Sequence, residues 1–200
     1  MQHFLFAVIL VVACATVSAA DSHQDADSAY NRGDFALAAR LLRSLAEQGN
    51  AVAQNNLGLM YDQGTGVPKD YQEAVKWYRL AAEQGDEEAQ NSLGLMYKNG
   101  MGVSQDYHEA ARWYRLAAEQ GYAIAQNNLA QMYEKGTGVP KDFVRAHMWV
   151  NLAAAALSGD QGKIALENRD KLAFRMTATQ IEEAQEMARR CQQSKFKECD

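Results

Sequence analysis

From residue 51 onward the apolar positions fall into two helical stripes separated by a polar, glycine-rich break. Ala53, Leu57, Met60 and Tyr61 recur at helical spacing and predict a first helix of about three turns. Gly64-Thr65-Gly66-Val67-Pro68-Lys69-Asp70 then interrupts it, since Gly64 accepts positive φ and Pro68 excludes helix continuation. A second stripe of Ala74, Trp77, Tyr78 and Ala81 predicts a second helix, opened by Asp70 and ended at Gly85. The Asp70 carboxylate is placed to cap the orphan N–H groups, and Glu73, three residues on, is expected to complete a reciprocal cap. Gly58 lies beside the first stripe. Glycine inside a helix costs ~1 kcal/mol relative to alanine, so its presence predicts a close approach of the two helices.

This unit of helix, seven-residue loop, helix and turn returns with a period of 36 residues, marked by Trp77, Trp113 and Trp149. The loop recurs from Gly100 to Asp106 and from Gly136 to Asp142, and the block from Gln54 to Tyr61 recurs at 90–97 and 126–133. Gly58 returns as Gly94 and as Ala130; Asp106 and Glu109 repeat the cap, whereas Asp142 is followed by Arg145. A fixed period of this length describes a stack of supersecondary units, not one globular core. The stack has edges. Residues 22–49 form a shortened leading unit, with Gly33-Asp34 standing for the whole loop and Leu41 in the tryptophan place. After the three full units (50–158) the terminal glycine slips to Gly159, where the period stops. In the remainder, 160–200, helices are expected over Ile164–Arg175 and Thr177–Gln193, the second opened by a Thr177/Gln180 capping box. Its stripe of Ile181, Ala184, Ala188 and Cys191 would cover the end of the stack, as terminal repeats require.

The pattern A-x-A-Q-x-x-L-G-x-M-Y…G-x-G-V-x-x-D-Y-x-x-A-x-x-W-Y-x-x-A-A-E-Q-G resembles Sel1-like repeats, relatives of tetratricopeptide repeats with a longer inter-helix loop. The resemblance spans Ala51 to Leu157 and, in degenerate form, the leading unit. It implies an all-α fold, a right-handed α-solenoid of antiparallel helix pairs with C-terminal capping helices. It also implies an adaptor or scaffold role, often in bacterial envelope, stress or secretion pathways. One disulfide-rich branch of the family, with a cysteine pair in each repeat, is associated with β-lactam binding or hydrolysis. No cysteine lies in these repeats, so that activity is not carried over.

Composition changes the picture at the two ends. Phe4 to Val17 is a nearly unbroken apolar run, no charged residue precedes Asp21, and Ser18-Ala19-Ala20 offers a cleavage site. Residues 1–20 read as a secretory signal peptide, too short for a comfortable membrane span. Removing it leaves an exported, periplasmic or secreted chain with no membrane span. Val11-Val12-Ala13-Cys14 resembles a lipoprotein box, but no Lys or Arg precedes it and the apolar run continues past Cys14. Cys191 and Cys199 then remain, an even pair that either forms a disulfide in an oxidising compartment or leaves two thiols in the tail. The net charge of −5 and the lack of a basic stripe argue against nucleic acid as partner.

Candidate chemistry is sparse, and neither a cofactor nor a metal is expected. The Gly64-Thr65-Gly66 loop follows no strand, so it reads as turn chemistry and not as a phosphate cradle. Ser194-Lys-Phe-Lys197 matches the S-x-x-K of penicillin-interacting serine enzymes, but their partner motifs Ser-Asp-Asn and Lys-Thr-Gly are absent. His108 and His147 occupy non-equivalent places with no nucleophile beside them. The tryptophans and Tyr61, Tyr97 and Tyr133 sit on apolar stripes and read as core. What remains is the face of each first helix opposite its stripe: Asn55, Leu59 and Asp62; Asn91, Leu95 and Lys98; Asn127, Gln131 and Glu134. Leu59 and Leu95 on a polar face suggest contact with a partner, against the alternatives of a solvated face or of amides bonding between units. The expectation is a non-enzymatic scaffold that binds a protein or peptide. A cell-wall-associated hydrolase or β-lactam- or peptidoglycan-binding protein, and a partner-stabilised regulator, are the alternatives.

Overall fold

The computed structural model describes residues 19–197 and 199, which form ten helices and no strand. The helices are α1 (Ala19–Asn31), α2 (Phe35–Glu47), α3 (Ala51–Gln63), α4 (Tyr71–Glu83), α5 (Glu87–Asn99), α6 (Tyr107–Ala118), α7 (Ala123–Lys135), α8 (Phe143–Ala156), α9 (Gly159–Ala173) and α10 (Ala178–Gln193). Each helix from α1 to α8 packs on the next, and α10 folds back onto α8. The result is an α-solenoid of paired helices with a C-terminal cap. Of the expected leader over 1–20, only Ala19 and Ala20 fall within the described residues, where they open α1; Cys14 lies outside them.

The local rules explain the boundaries. Asn50 and Asp86 cap α3 and α5 by accepting from the amides of Ala53 (2.9 Å) and Ala89 (2.8 Å). Gly64 closes α3 in the left-handed region, φ 74°, as Gly100 and Gly136 close α5 and α7. Asp70 caps α4 through the amides of Gln72 and Glu73, and Asp106 does the same for α6. The reciprocal half of that cap does not form. The Asp70 amide already donates to the Tyr61 carbonyl (3.0 Å), tying loop to first helix, and Glu73 turns instead to Lys76 and the Trp77 indole N–H (3.2 Å). Glu109 likewise pairs with Arg112, and Asp142 with Arg145.

The core runs along the stripes. Trp77, Trp113, Trp149, Tyr78 and Tyr114 are buried with the small residues around them. Burial pushes the Tyr78 and Tyr114 hydroxyls well above the usual tyrosine pKa. A Cβ on Gly58 would stand 2.8 Å from the Tyr78 ring, and one on Gly94 2.8 Å from Tyr114, so the glycines are where first and second helix touch.

The C-terminal segment differs from expectation in one respect. The first of its helices begins at Gly159, not Ile164. Gly159 stands one period after Ala123, so α9 occupies the place of a further first helix although its residues have left the motif. Ala165, at the place of Leu57, Leu93 and Leu129, is fully buried against the array. Position decides this helix more than residue pattern does. The Thr177/Gln180 capping box forms, and Ala184, Ala188 and Cys191 of α10 are buried. Cys191 is joined to Cys199 by a disulfide, and Phe196 reaches the turn at Gly121.

Candidate partner-binding face

Successive units are tied by three devices that repeat with the period, two made by side chains and one by a close backbone approach. An arginine on each second helix donates to the first-helix tyrosine of the next unit: Arg43 to Tyr61, Arg79 to Tyr97 at 2.6 Å, and Arg115 to Tyr133. A buried glutamine on each first helix reaches back to the preceding second helix. Gln54, Gln90 and Gln126 donate to the carbonyls of Ala46, Ala82 and Ala118 at 3.0, 3.1 and 3.2 Å. Gln84 and Gln120 then donate to the side-chain oxygens of Gln54 and Gln90, at 2.7 and 2.8 Å. Residue 156, where a third such glutamine would stand, is alanine, and the Gln126 side-chain oxygen is left buried without a partner. Third, the second loop glycine sits against the start of the preceding second helix. A Cβ on Gly102 would lie 2.2 Å from the Tyr71 carbonyl oxygen.

These ties decide what the predicted face can offer. Asn55 does not point to solvent. It is buried and donates to Glu88 of the next first helix at 3.3 Å. Asn91 accepts from Asn128 (3.0 Å) and Asn127 from Asn168 (3.4 Å), so the amide positions link neighbouring first helices. Glu134 accepts from Arg175 of the terminal segment at 2.9 Å. Asp62 and Lys98 are half-buried. Desolvation raises the Asp62 carboxyl, opposed by Lys69, and lowers the Lys98 ammonium, with Lys135 adding to the effect. Gln131 is half-buried. Leu59 and Leu95 remain exposed, at 41% and 38%. Of the nine predicted residues, the two leucines are the apolar ones open to a partner.

Leu59 also borders a concavity that sequence reasoning did not anticipate. A cavity of about 450 Å³ opens between the first two units, lined by Ala26, Asp27 and Tyr30 of α1, Leu42 of α2, and Leu59 and Gln63 of α3. The signal that could have revealed it is side-chain size, since Ala26 and Leu42 stand where the first full unit has Leu57 and Tyr78. With five loop residues missing, nothing in the leading unit reproduces the long loop of the others, and Tyr30 stands 42% exposed, edge-on to Phe35 at 5.0 Å.

Other candidate groups are placed as follows. His108 is exposed, whereas His147 is buried in α8, its Nδ1 unpartnered. Desolvation lowers the His147 pKa, Arg169 adds to that and Asp170 opposes it. The Ser194 hydroxyl donates to the Cys191 carbonyl at 2.9 Å. Among the described residues no group of three or more His, Cys, Asp or Glu is arranged to hold a metal, and no helix is long and apolar enough to cross a membrane.

A family model described as Sel1 repeat matches residues 28–50, 51–86, 87–122 and 123–156; each of the last three matches holds one complete helix pair, and the first holds the end of α1 and all of α2. The chain belongs to the Sel1 repeat family. Among solved structures, a Sel1 repeat protein from Oxalobacter formigenes is 33% identical with a TM-score of 0.67, over 85% of this chain and 79% of that one. A protective antigen present in uropathogenic Escherichia coli strains, displaying an SLR fold, is 27% identical with a TM-score of 0.60, over 90% of this chain and 46% of that one. No curated protein matches the chain. Sel1 repeat proteins are typically scaffolds for protein–protein interaction.

Proposed function

We propose that this Sel1 repeat protein is an exported, non-enzymatic scaffold of the bacterial cell envelope that holds a protein or peptide segment against its first-helix face. The observation that carries the reading is Leu59, exposed on that face and bordering the cavity between α1, α2 and α3, with Leu95 repeating it one unit on. An apolar side chain kept in water at equivalent positions of two units, where the neighbouring amides are consumed by structure, is best explained by a partner that covers it. The apolar run Phe4–Val17 and the Cys191–Cys199 bridge support export to an oxidising compartment, the periplasm or beyond.

The test is crosslinking in the native host with a photoreactive residue at Leu59 or Leu95, compared with one at Lys76 on the exposed side of α4. A discrete adduct from the two leucine positions and none from Lys76 is expected. Equal labelling at all three, or none, would remove the case for this face.

A further inference from the structure

The backbone repeats faithfully along the stack, but the charge beside each inter-unit arginine does not. At the first junction, between the leading unit and the first full one, Arg43 and Lys69 stand with Asp70 and Glu73, two cations and two acids. At the second, Arg79 and Gln105 stand with Asp106 and Glu109, one cation and two acids. At the third, Arg115, Lys141 and Arg145 stand with Asp142 alone, three cations and one acid. Glu47, Glu83 and Glu119, one turn beyond each arginine, are common to all three and leave the difference unchanged. On a chain of net charge −5, this concentrates positive charge in one place.

The fold gathers those cations around a cleft of about 290 Å³, lined by Arg115, Tyr133, Pro140, Lys141, Asp142 and Arg145. The charged groups are held by their neighbours. Arg145 Nη1 donates to Asp142 at 2.9 Å, Arg115 donates to the Tyr133 hydroxyl, and the Lys141 ammonium lies 5.1 Å over the Phe143 ring. Side chains already fixed in place lose less freedom when they take a ligand. Arg115 also borders a second cleft of about 200 Å³, where Ala111, Leu116 and Val139 give an apolar lining and His108 and Arg112 complete the rim. The two clefts adjoin through a single arginine and differ in character. A small free anion would use only the first.

We propose that these paired clefts, at the junction of the second and third full units, are a docking site for an acidic peptide segment. A carboxylate side chain would sit between Lys141 and Arg145, and an adjacent apolar side chain against Leu116 and Val139. The site is built on second helices and loops, with Tyr133 of α7 in its lining; it shares no residue with the face that carries Leu59 and Leu95 and does not depend on what that face binds.

The repeat supplies its own control. The double variant Lys141→Gln/Arg145→Glu gives the third unit the side chains that the second carries at Gln105 and Glu109, a set this backbone already accommodates. Fluorescence anisotropy of the full chain with a labelled peptide of alternating Glu and Leu should show binding that weakens as salt is raised. The double variant should lose at least about tenfold in affinity at an unchanged melting temperature, and a Lys–Leu peptide should not bind. Gln105→Lys/Glu109→Arg should create a second site and raise the stoichiometry. No binding of the Glu–Leu peptide, equal binding by the double variant, or equal binding of the Lys–Leu peptide would overturn the proposal. So would a Glu–Ser peptide that binds as tightly as Glu–Leu, which would mean that charge alone is recognised.

Discussion

At the scale of single residues, close approach and desolvation set the outcome. Gly58 abuts the Tyr78 ring and Gly94 the Tyr114 ring, while the third unit carries Ala130 and, at the tyrosine place, Val150. A methyl gained on one helix is thus matched by a smaller side chain on the other. Gly58→Ala should therefore destabilise by about 1–2 kcal/mol despite its better helix propensity, because the added carbon overpacks. Combined with Tyr78→Val it should cost less than the sum of the two single changes, which urea denaturation of the four proteins would show. His147 makes a pH prediction. Its folded-state pKa lies below the ordinary 6.5, so unfolding takes up a proton. Its contribution to stability is complete above about pH 6.5 and is lost as pH falls towards the folded-state value. Thermal melts between pH 7.5 and 5.5 should show that loss, and His147→Val, the residue found at Val75, should flatten it. The core roles of the tryptophans and the contact at Gly58 were legible from periodicity. The pairing of Arg79 with Tyr97 was not, although both residues repeat, because it depends on how one unit leans on the next.

At the scale of helices and loops, the sequence punctuation was read well and the terminal segment less so. Asp70, Gly64 and the Thr177 capping box stand where the pattern placed them. The reciprocal cap at Glu73 failed because the backbone amide it would have served was already bound within the unit. The start of α9 escaped notice because Gly159-Asp-Gln-Gly162 has no apolar stripe and is helical by its place in the stack. The loop offers a sharper test of what joins the units. Gly85 and Gly102 both have positive φ, at 95° and 70°, but a Cβ on Gly85 meets nothing within 4 Å whereas one on Gly102 runs into the Tyr71 carbonyl. Gly85→Ala should cost about 1 kcal/mol, the conformational term alone. Gly102→Ala should cost more than about 2 kcal/mol, because the first and second full units would be forced apart as well. Equal costs in denaturant titrations would mean that the loop is not an inter-unit contact.

At the scale of the whole molecule, the two ends of the described stack differ. The C-terminal end is closed by α10 on α8, by the Cys191–Cys199 bridge and by Phe196 at the Gly121 turn. Cys199→Ser should lower stability by roughly 2–3 kcal/mol and raise amide exchange in α10 before the central units are affected. The amino-terminal end is more open, with a short loop, an exposed Tyr30 and the cavity beside Leu59. The solenoid and its period were plain in the sequence, and so were the exposed leucines. The cavity was hidden because it depends on how α1 and α2 sit against α3, and the loss of the asparagines from the open face because amides at a fixed period serve a partner or a neighbouring unit equally well. The central claim is that the first helices form the binding face. Hydrogen–deuterium exchange of the protein alone and with the partner captured by crosslinking tests it most directly. Protection over 24–31, 51–63 and 87–99, with little change over 71–83, is the result expected. Unchanged exchange in α3 and α5 with protection confined to α4 and α6 would contradict it.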